Sequence, residues 1–241
     1  MTTPSGTQLP TARRLFIAFD ADDTLWHNET HYQRAGGAFK QLLQDFAGPD
    51  AIEKALGEIE VRNIGWYGYG IKSYTLSMIE AAVAITGGKV SGAVIDSILQ
   101  LGRDMLAADV MLFEHAASAL TALARDHDLM LITKGDLLEQ SEKLKRSGLT
   151  PLFKYVEIIQ DKTAESYRSL LQRHGIPIDK FIMVGNSLKS DILPVIEIDG
   201  RAVFVPYEHT WSHEHVDAPN HGYFEIGHLG LLPELVNRLN A

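Results

Sequence analysis

The stretch Leu15-Phe16-Ile17-Ala18-Phe19-Asp20-Ala21-Asp22-Asp23-Thr24 passes from an apolar run into a cluster of carboxylates within ten positions. An unbroken apolar run is what a parallel strand covered on both faces requires. Leu15–Phe19 therefore reads as a buried strand, with Asp20 the first residue past its carboxyl end. Four more short strands are predicted at Leu129–Ile132, Tyr155–Ile159, Phe181–Val184 and Ala202–Val205, with helices between them and one through Ala116–Ala124 before the second. Such alternation predicts an α/β protein with a Rossmann-like parallel sheet.

The stretch 28–110 interrupts the alternation directly after the first strand. Apolar residues recur there at helical spacing: Ala38, Leu42, Leu43 and Phe46; Ile52, Leu56 and Ile59; Leu76, Ile79, Ala82 and Val83; Val94, Ile98, Leu101 and Met105. Breaks fall at Gly48-Pro49, Gly68–Gly70 and Gly87-Gly88. The expected organisation is a flexible tail over 1–13, a catalytic core made of 14–27 and 111–241, and an inserted all-helical cap over 28–110.

Composition narrows the function. The chain has 241 residues, 45% of them hydrophobic, and a formal net charge of −9. Nucleic-acid and anionic-membrane binding both run on clustered Lys and Arg, so neither partner is expected. The sequence has no cysteine. That excludes disulfides, thiol nucleophiles and thiolate metal sites, and it suits a reducing cytoplasm. The polar stretch Met1–Pro10 lacks the apolar segment of a signal peptide, and no apolar run is long enough to span a bilayer.

Ligands of open α/β sheets bind beyond the carboxyl ends of the strands. Polar residues stand there: Asp20 and Asp22, then Thr133 and Lys134, then Asp161 and Lys162, then Asn186 with Asp191 just beyond. Two carboxylates two residues apart suit a nucleophile, Asp20, and a general acid/base, Asp22. The oxygen donors of Asp20, Asp22, Asn186 and Asp191 suit Mg²⁺. The hydroxyl of Thr133 and the ammonium groups of Lys134 and Lys162 suit a phosphoryl group. Taken singly, each residue has a plainer role as a helix cap, turn or surface residue.

Phe19-Asp20-Ala21-Asp22-Asp23-Thr24-Leu25, Leu131-Ile132-Thr133-Lys134-Gly135, Lys162 and Val184-Gly185-Asn186-Ser187-Leu188-Lys189-Ser190-Asp191 resemble, in order, the four motifs of the haloacid dehalogenase-like hydrolase superfamily. The resemblance spans Leu15 to Val205. It implies a Rossmann-like core, Mg²⁺, an aspartyl-phosphate intermediate on Asp20, and a metal contact from the main-chain carbonyl of Asp22. The fourth motif departs from the family's usual Gly-Asp, reading Gly185-Asn186. That leaves open whether Asn186 or Asp191 is the direct metal ligand. Dehalogenases of the family lack an acid/base aspartate at the place of Asp22, so the resemblance implies a phosphatase of a small phosphorylated metabolite. A phosphotransferase or mutase on the same residues, and a non-catalytic binding module, are the alternatives.

Two clusters outside the motifs remain. Trp66, Tyr67, Tyr69 and Lys72 sit in a glycine-rich break of the helical insertion. They read either as packing between helices or as a substrate wall in which Trp66 and Lys72 hold a planar or polyanionic group. His209, His213 and His215, with Glu208 and Glu214, follow the last strand in a loop. They lack the helix on which a His pair four apart holds zinc, and we read them as structural or solvated.

Overall fold

The computed structural model describes residues 14–209, 216 and 222–240; the segment 1–13, His213 and His215 lie outside them. The sheet has six strands: β1 (Phe16–Phe19), β2 (Asp128–Lys134), β3 (Phe153–Ile159), β4 (Phe181–Gly185), β5 (Arg201–Phe204) and β6 (Phe224–Glu225). Their spatial order is β3-β2-β1-β4-β5-β6, and every neighbouring pair is parallel. The helices are α1 (Glu29–Leu42), α2 (Pro49–Tyr67), α3 (Ile71–Ile85), α4 (Gly92–Ala107), α5 (Ala116–Leu123), α6 (Leu137–Arg146), α7 (Ala164–His174), α8 (Leu193–Ile196) and α9 (Leu232–Leu239).

Side chains on a strand alternate between faces, and the central strands β1, β2 and β4 are covered on both faces. On one, Ile17, Phe19, Leu131 and Val184 pack against Leu120 of α5 and Leu232 and Val236 of α9. On the other, Ala18, Met130, Ile132 and Met183 pack against Tyr167 and Leu170 of α7 and Val195 of α8. That double burial explains why the strands are apolar at successive positions. Among the described residues no helix is long and apolar enough to cross a membrane.

The strand order reverses between β1 and β4, which opens a crevice beyond their carboxyl ends. Phe19 is level with Leu131 on one side and Val184 on the other. The residues that follow all three strands therefore emerge at one edge. The Asp20 amide donates to the Val184 carbonyl at 2.9 Å, which holds the chain against β4 as it leaves the sheet.

Helices α1–α4 follow β1 and share a core of their own, built on Phe39, Leu43, Ile52, Met78, Ala82 and Ile98. The chain enters and leaves this unit side by side: the Phe113 amide donates to Leu25 O at 3.0 Å and the His27 amide to Met111 O at 3.0 Å. Asp23 starts α1. It takes a positive φ of 60°, and its carboxylate accepts from the amides of Asn28 at 2.9 Å and Glu29 at 3.1 Å. Asp23 is thus a turn and capping residue. Helix α2 runs through Gly65-Trp66-Tyr67 and stops at Gly68, whose φ is 71°. Trp66 and Tyr67 belong to its last turn, and Lys72 to the first turn of α3, so the glycine-rich break itself is only Gly68-Tyr69-Gly70.

Candidate active site

Asp20 is buried where β1 ends, and one of its oxygens accepts from the Thr24 hydroxyl at 3.0 Å. The other faces Lys162, which enters from the turn between β3 and α7. Thr163 and Ser166 form a reciprocal cap of α7, with bonds of 3.1 Å and 2.8 Å, and this fixes the backbone that presents Lys162. The Lys162 Nζ, only 3% of whose residue is exposed, donates to Asp20 Oδ1 at 2.5 Å and to Asp191 Oδ1 at 2.6 Å. Asp191 lies in a π-helical turn, Leu188–Ile192, a widened turn of the kind that recurs at functional sites. Its second oxygen accepts from the Ser187 amide at 3.0 Å. Gly185 is required here because a Cβ would collide with the Asp191 carboxylate.

One cation shared by two carboxylates leaves a net negative centre. Burial first, and the charge of Asp191 in addition, push the Asp20 carboxyl up to about 7, with Lys162 pulling the other way. Burial disfavours the Lys162 ammonium, but Asp191 and Asp20 outweigh that and hold it above its ordinary value. Further positive charge near Asp20 would favour its nucleophilic, ionised form.

The donor set suits a hard cation. The end of the Asn186 amide turned into the site lies 3.3 Å from the Asp22 main-chain oxygen, 3.3 Å from Asp20 Oδ2 and 3.0 Å from Thr24 Oγ1. With nitrogen turned inward it bridges them by hydrogen bonds; with oxygen turned inward, three oxygens converge as Mg²⁺ requires. No three His, Asp or Glu side chains converge in this way among the described residues. The converging oxygens here include an amide and a main-chain carbonyl. Asp191 has both oxygens engaged, by Lys162 and by the Ser187 amide.

Asp22 points away from Asp20, toward α6. Its oxygens accept from Trp26 Nε1 at 2.7 Å, Gln140 Nε2 at 2.7 Å and Lys143 Nζ at 3.1 Å. Lys143 also reaches Asn28 Oδ1 at 2.8 Å and Glu139 at 3.0 Å, and Glu139 accepts from the Ile71 amide at the start of α3 at 2.8 Å. Gln140 and Lys143 were not expected from the sequence. The available signal was a run of polar residues at helical spacing, Glu139, Gln140 and Lys143, on the face of α6 that the fold buries.

Asp20, Asp22, Thr133, Lys134, Lys162, Asn186 and Asp191 all line one cavity of about 380 Å³ between the sheet edge and helices α1–α3, within the size range of small-molecule sites. Thr133 is 1% exposed. Lys134 donates to Ser190 Oγ at 2.8 Å and lies over the Tyr69 ring at 4.6 Å.

Trp66 and Lys72 do not join them. Trp66 is 80% exposed because the helical period of α2 carries it to the outer face. Lys72 is paired with Asp136 at 2.8 Å. Tyr69 lines the cavity from the same segment. Trp66→Ala is accordingly expected to leave KM unchanged and stability within about 0.5 kcal/mol of the parent, which a melting curve and a saturation curve check. His209 sits beside Tyr207, with its Nε2 3.4 Å from Glu208, and is not among the residues that line the cavity.

The family model of haloacid dehalogenase-like hydrolases matches residues 16–198. A haloacid dehalogenase-like family hydrolase from Xanthomonas campestris is 33% identical, with 97% of this chain and 95% of that chain covered and a TM-score of 0.86. The putative HAD-hydrolase YfnB from Bacillus subtilis, bound to magnesium, is 19% identical over 95% of this chain and 100% of that one, at a TM-score of 0.63. L-2-haloacid dehalogenase from Xanthobacter autotrophicus is 14% identical over 93% and 99%, at 0.64. No curated protein matches the chain in sequence. The fold, the order of the four motifs and the matched span lead to one conclusion: the chain is a member of the haloacid dehalogenase-like hydrolases.

Proposed function

We propose that this hydrolase cleaves phosphomonoesters of small metabolites through a phosphoaspartate on Asp20. The observation that carries the reading is a buried carboxylate, Asp20, paired with Lys162 at a cavity wall, with a second carboxylate two residues on at Asp22. The Asp20 oxygen attacks phosphorus and the bond from phosphorus to the leaving oxygen breaks, while Asp22 supplies that oxygen's proton. Asp22 then takes a proton from water, which attacks phosphorus and frees Asp20 and phosphate. Both roles require Asp22 to turn from Gln140 and Lys143 toward Asp20, a side-chain rotation. Thr133 and Lys162 donate to the phosphoryl oxygens where charge is spread in the transition state.

The residues that would hold Mg²⁺ are Asp20, the Asp22 carbonyl and Asn186, with Asp191 in the surrounding layer. When bound, the ion offsets the repulsion between an anionic nucleophile and an anionic substrate. The converging oxygens around Asn186 support this assignment.

A second reading is carbon–halogen cleavage, with Asp20 attacking carbon. It draws on the position of Asp22, which its three donors hold turned from Asp20 in this structure. Substrates separate the two. Turnover of 4-nitrophenyl phosphate and an alkyl phosphate with Mg²⁺, its loss in EDTA, and no halide release from 2-chloropropionate are expected. Halide release without phosphate release would reverse the assignment. Added alcohol acting as phosphoryl acceptor in place of water would identify a transferase. Asp22→Asn is expected to slow alkyl phosphate cleavage by on the order of 10²–10⁴-fold and to slow the aryl ester less, since its leaving group needs little protonation. Equal losses would confine Asp22 to shaping the site.

A further inference from the structure

The wall of the cavity formed by α1 and α2 is acidic, opposite in sign to what a second phosphate or carboxylate on the substrate would need. Glu29, Glu53 and Glu60 all line it. Glu53 is paired with Lys40 at 2.8 Å, which also neutralises the one lysine lining that wall. The carboxyl groups of Glu29 and Glu60 have no hydrogen-bond or ion-pair partner among the described residues, and the charges that act on Glu29 are those of Asp23 and Glu60, both acidic. Burial, with those like charges, pushes Glu29 up to about 8, and burial pushes Glu60 up to about 7. A fold gains nothing from two unpaired carboxyls in a shared recess.

An independent feature points at the same space. Tyr74 of α3 is 6% exposed and lines the cavity, yet its hydroxyl bonds to nothing among the described residues. The ring is enclosed, while the hydroxyl opens onto the cavity and is not among the fully enclosed polar atoms that lack a partner. It faces the groove beside Gly36, whose missing Cβ would lie 3.2 Å from it. The Tyr32 ring stands 4.9 Å from the Tyr74 ring at 61°. Tyr32 lines the same cavity as Tyr74, Glu29 and Glu60. Two ring faces and two acceptor carboxyls suit an organic cation, by cation–π contact and charge-assisted hydrogen bonds. Burial holds both carboxyls toward the neutral form; a cation placed between them favours the ionised form of both, which a neutral polyol cannot do and a second anion opposes.

We propose that the alcohol portion of the substrate carries a protonated amine, held between Glu29 and Glu60 and against Tyr32 and Tyr74. This rests on the phosphatase reading for the position of the phosphoryl group; the amine subsite itself rests on the residues of α1–α3.

The test compares 3-aminopropyl phosphate with the isosteric butyl phosphate, with glycerol phosphate and with phosphoglycolate, on the Mg²⁺-loaded enzyme. The amine is expected to exceed butyl phosphate in kcat/KM by on the order of 10–100-fold. Glu60→Gln and Glu29→Gln are each expected to shrink that ratio about tenfold or more. A raised folded-state pKa in a carboxyl means stability that is present below its ordinary 4.5 and lost as pH rises through 7 to 8. Both variants should therefore melt no lower than the parent at pH 8, which separates loss of recognition from loss of fold. In parallel, 3-aminopropanol should raise the melting temperature of the parent and not of Glu60→Gln. Equal rates for amine and butyl esters, a preference for glycerol phosphate or phosphoglycolate, or variants that leave the ratio unchanged would overturn the amine subsite. If no phosphate ester is cleaved but 3-aminopropanol still stabilises the parent alone, the subsite stands and the phosphatase reading falls.

Discussion

Asp20→Asn is expected to lower kcat/KM by on the order of 10⁴-fold, because the group that attacks is lost and not merely weakened. An amide oxygen is a poor nucleophile, while its shape matches that of the carboxylate it replaces. The protein should remain folded. Burial already raises the Asp20 carboxyl to about 7, so the ionised form costs stability as pH climbs from its ordinary 3.8 through 7. With metal chelated, the neutral amide should melt no lower than the parent at pH 8. Lys162 keeps Asp191 as its partner at 2.6 Å. Native circular dichroism with normal turnover would remove Asp20 from the reaction.

Lys162→Met is the second large effect, and it acts on both activity and stability. The ammonium sits between Asp20 and Asp191 with 1% of its side chain exposed. Taking it away leaves two carboxyls facing each other without the cation. Breaking a buried ion pair from one side costs about 3–5 kcal/mol. At about 2–4 °C per kcal/mol for a chain of this size, the melting temperature should fall by roughly 10 °C. Turnover should fall by on the order of 10²–10³-fold through lost stabilisation of the phosphoryl oxygens. Lys162→Arg should recover part of the stability and little of the rate, since a planar fork cannot place one donor between two oxygens as a point charge does. A variant that melts normally would contradict the shared ion pair.

How much of this was legible in the sequence depended on whether the signal was local. The strands were legible because both faces are covered, so β1, β2 and β4 are apolar at successive positions. Asp20 and Asn186, which follow strand ends, were legible for the same reason; Thr133 and Lys134, expected just past the second strand, are instead its last two residues, because β2 runs on to pair with Ile158 and Ile159 of β3. The C-terminal α9 was missed although Leu232, Leu235, Val236 and Leu239 recur at helical spacing. The two-residue β6 carries too little pattern to register. Residues whose role depends on which helix face is buried were not legible. Trp66 read either as packing between helices or as part of a substrate wall, but the turn of α2 that carries it faces outward and leaves it 80% exposed, which fits neither. Lys143 and Gln140 meet Asp22 across more than a hundred residues of sequence, a pairing that only the packing of α6 against the β1 loop creates. The acidic wall of the cavity likewise needed α1 and α2 to be placed side by side.

The roles given to Asp20, Asp22 and Lys162 all depend on a covalent phosphoryl group on Asp20, and trapping it tests them together. Enzyme mixed with Mg²⁺ and excess 4-nitrophenyl phosphate, quenched in acid within a turnover and digested, should yield the peptide carrying Asp20 heavier by one phosphoryl group, with fragmentation placing the group on Asp20. The same peptide from Asp20→Asn should be unmodified. Phosphate release by the parent with no phosphoryl group on any carboxylate, or with the group on a residue other than Asp20, would contradict the account.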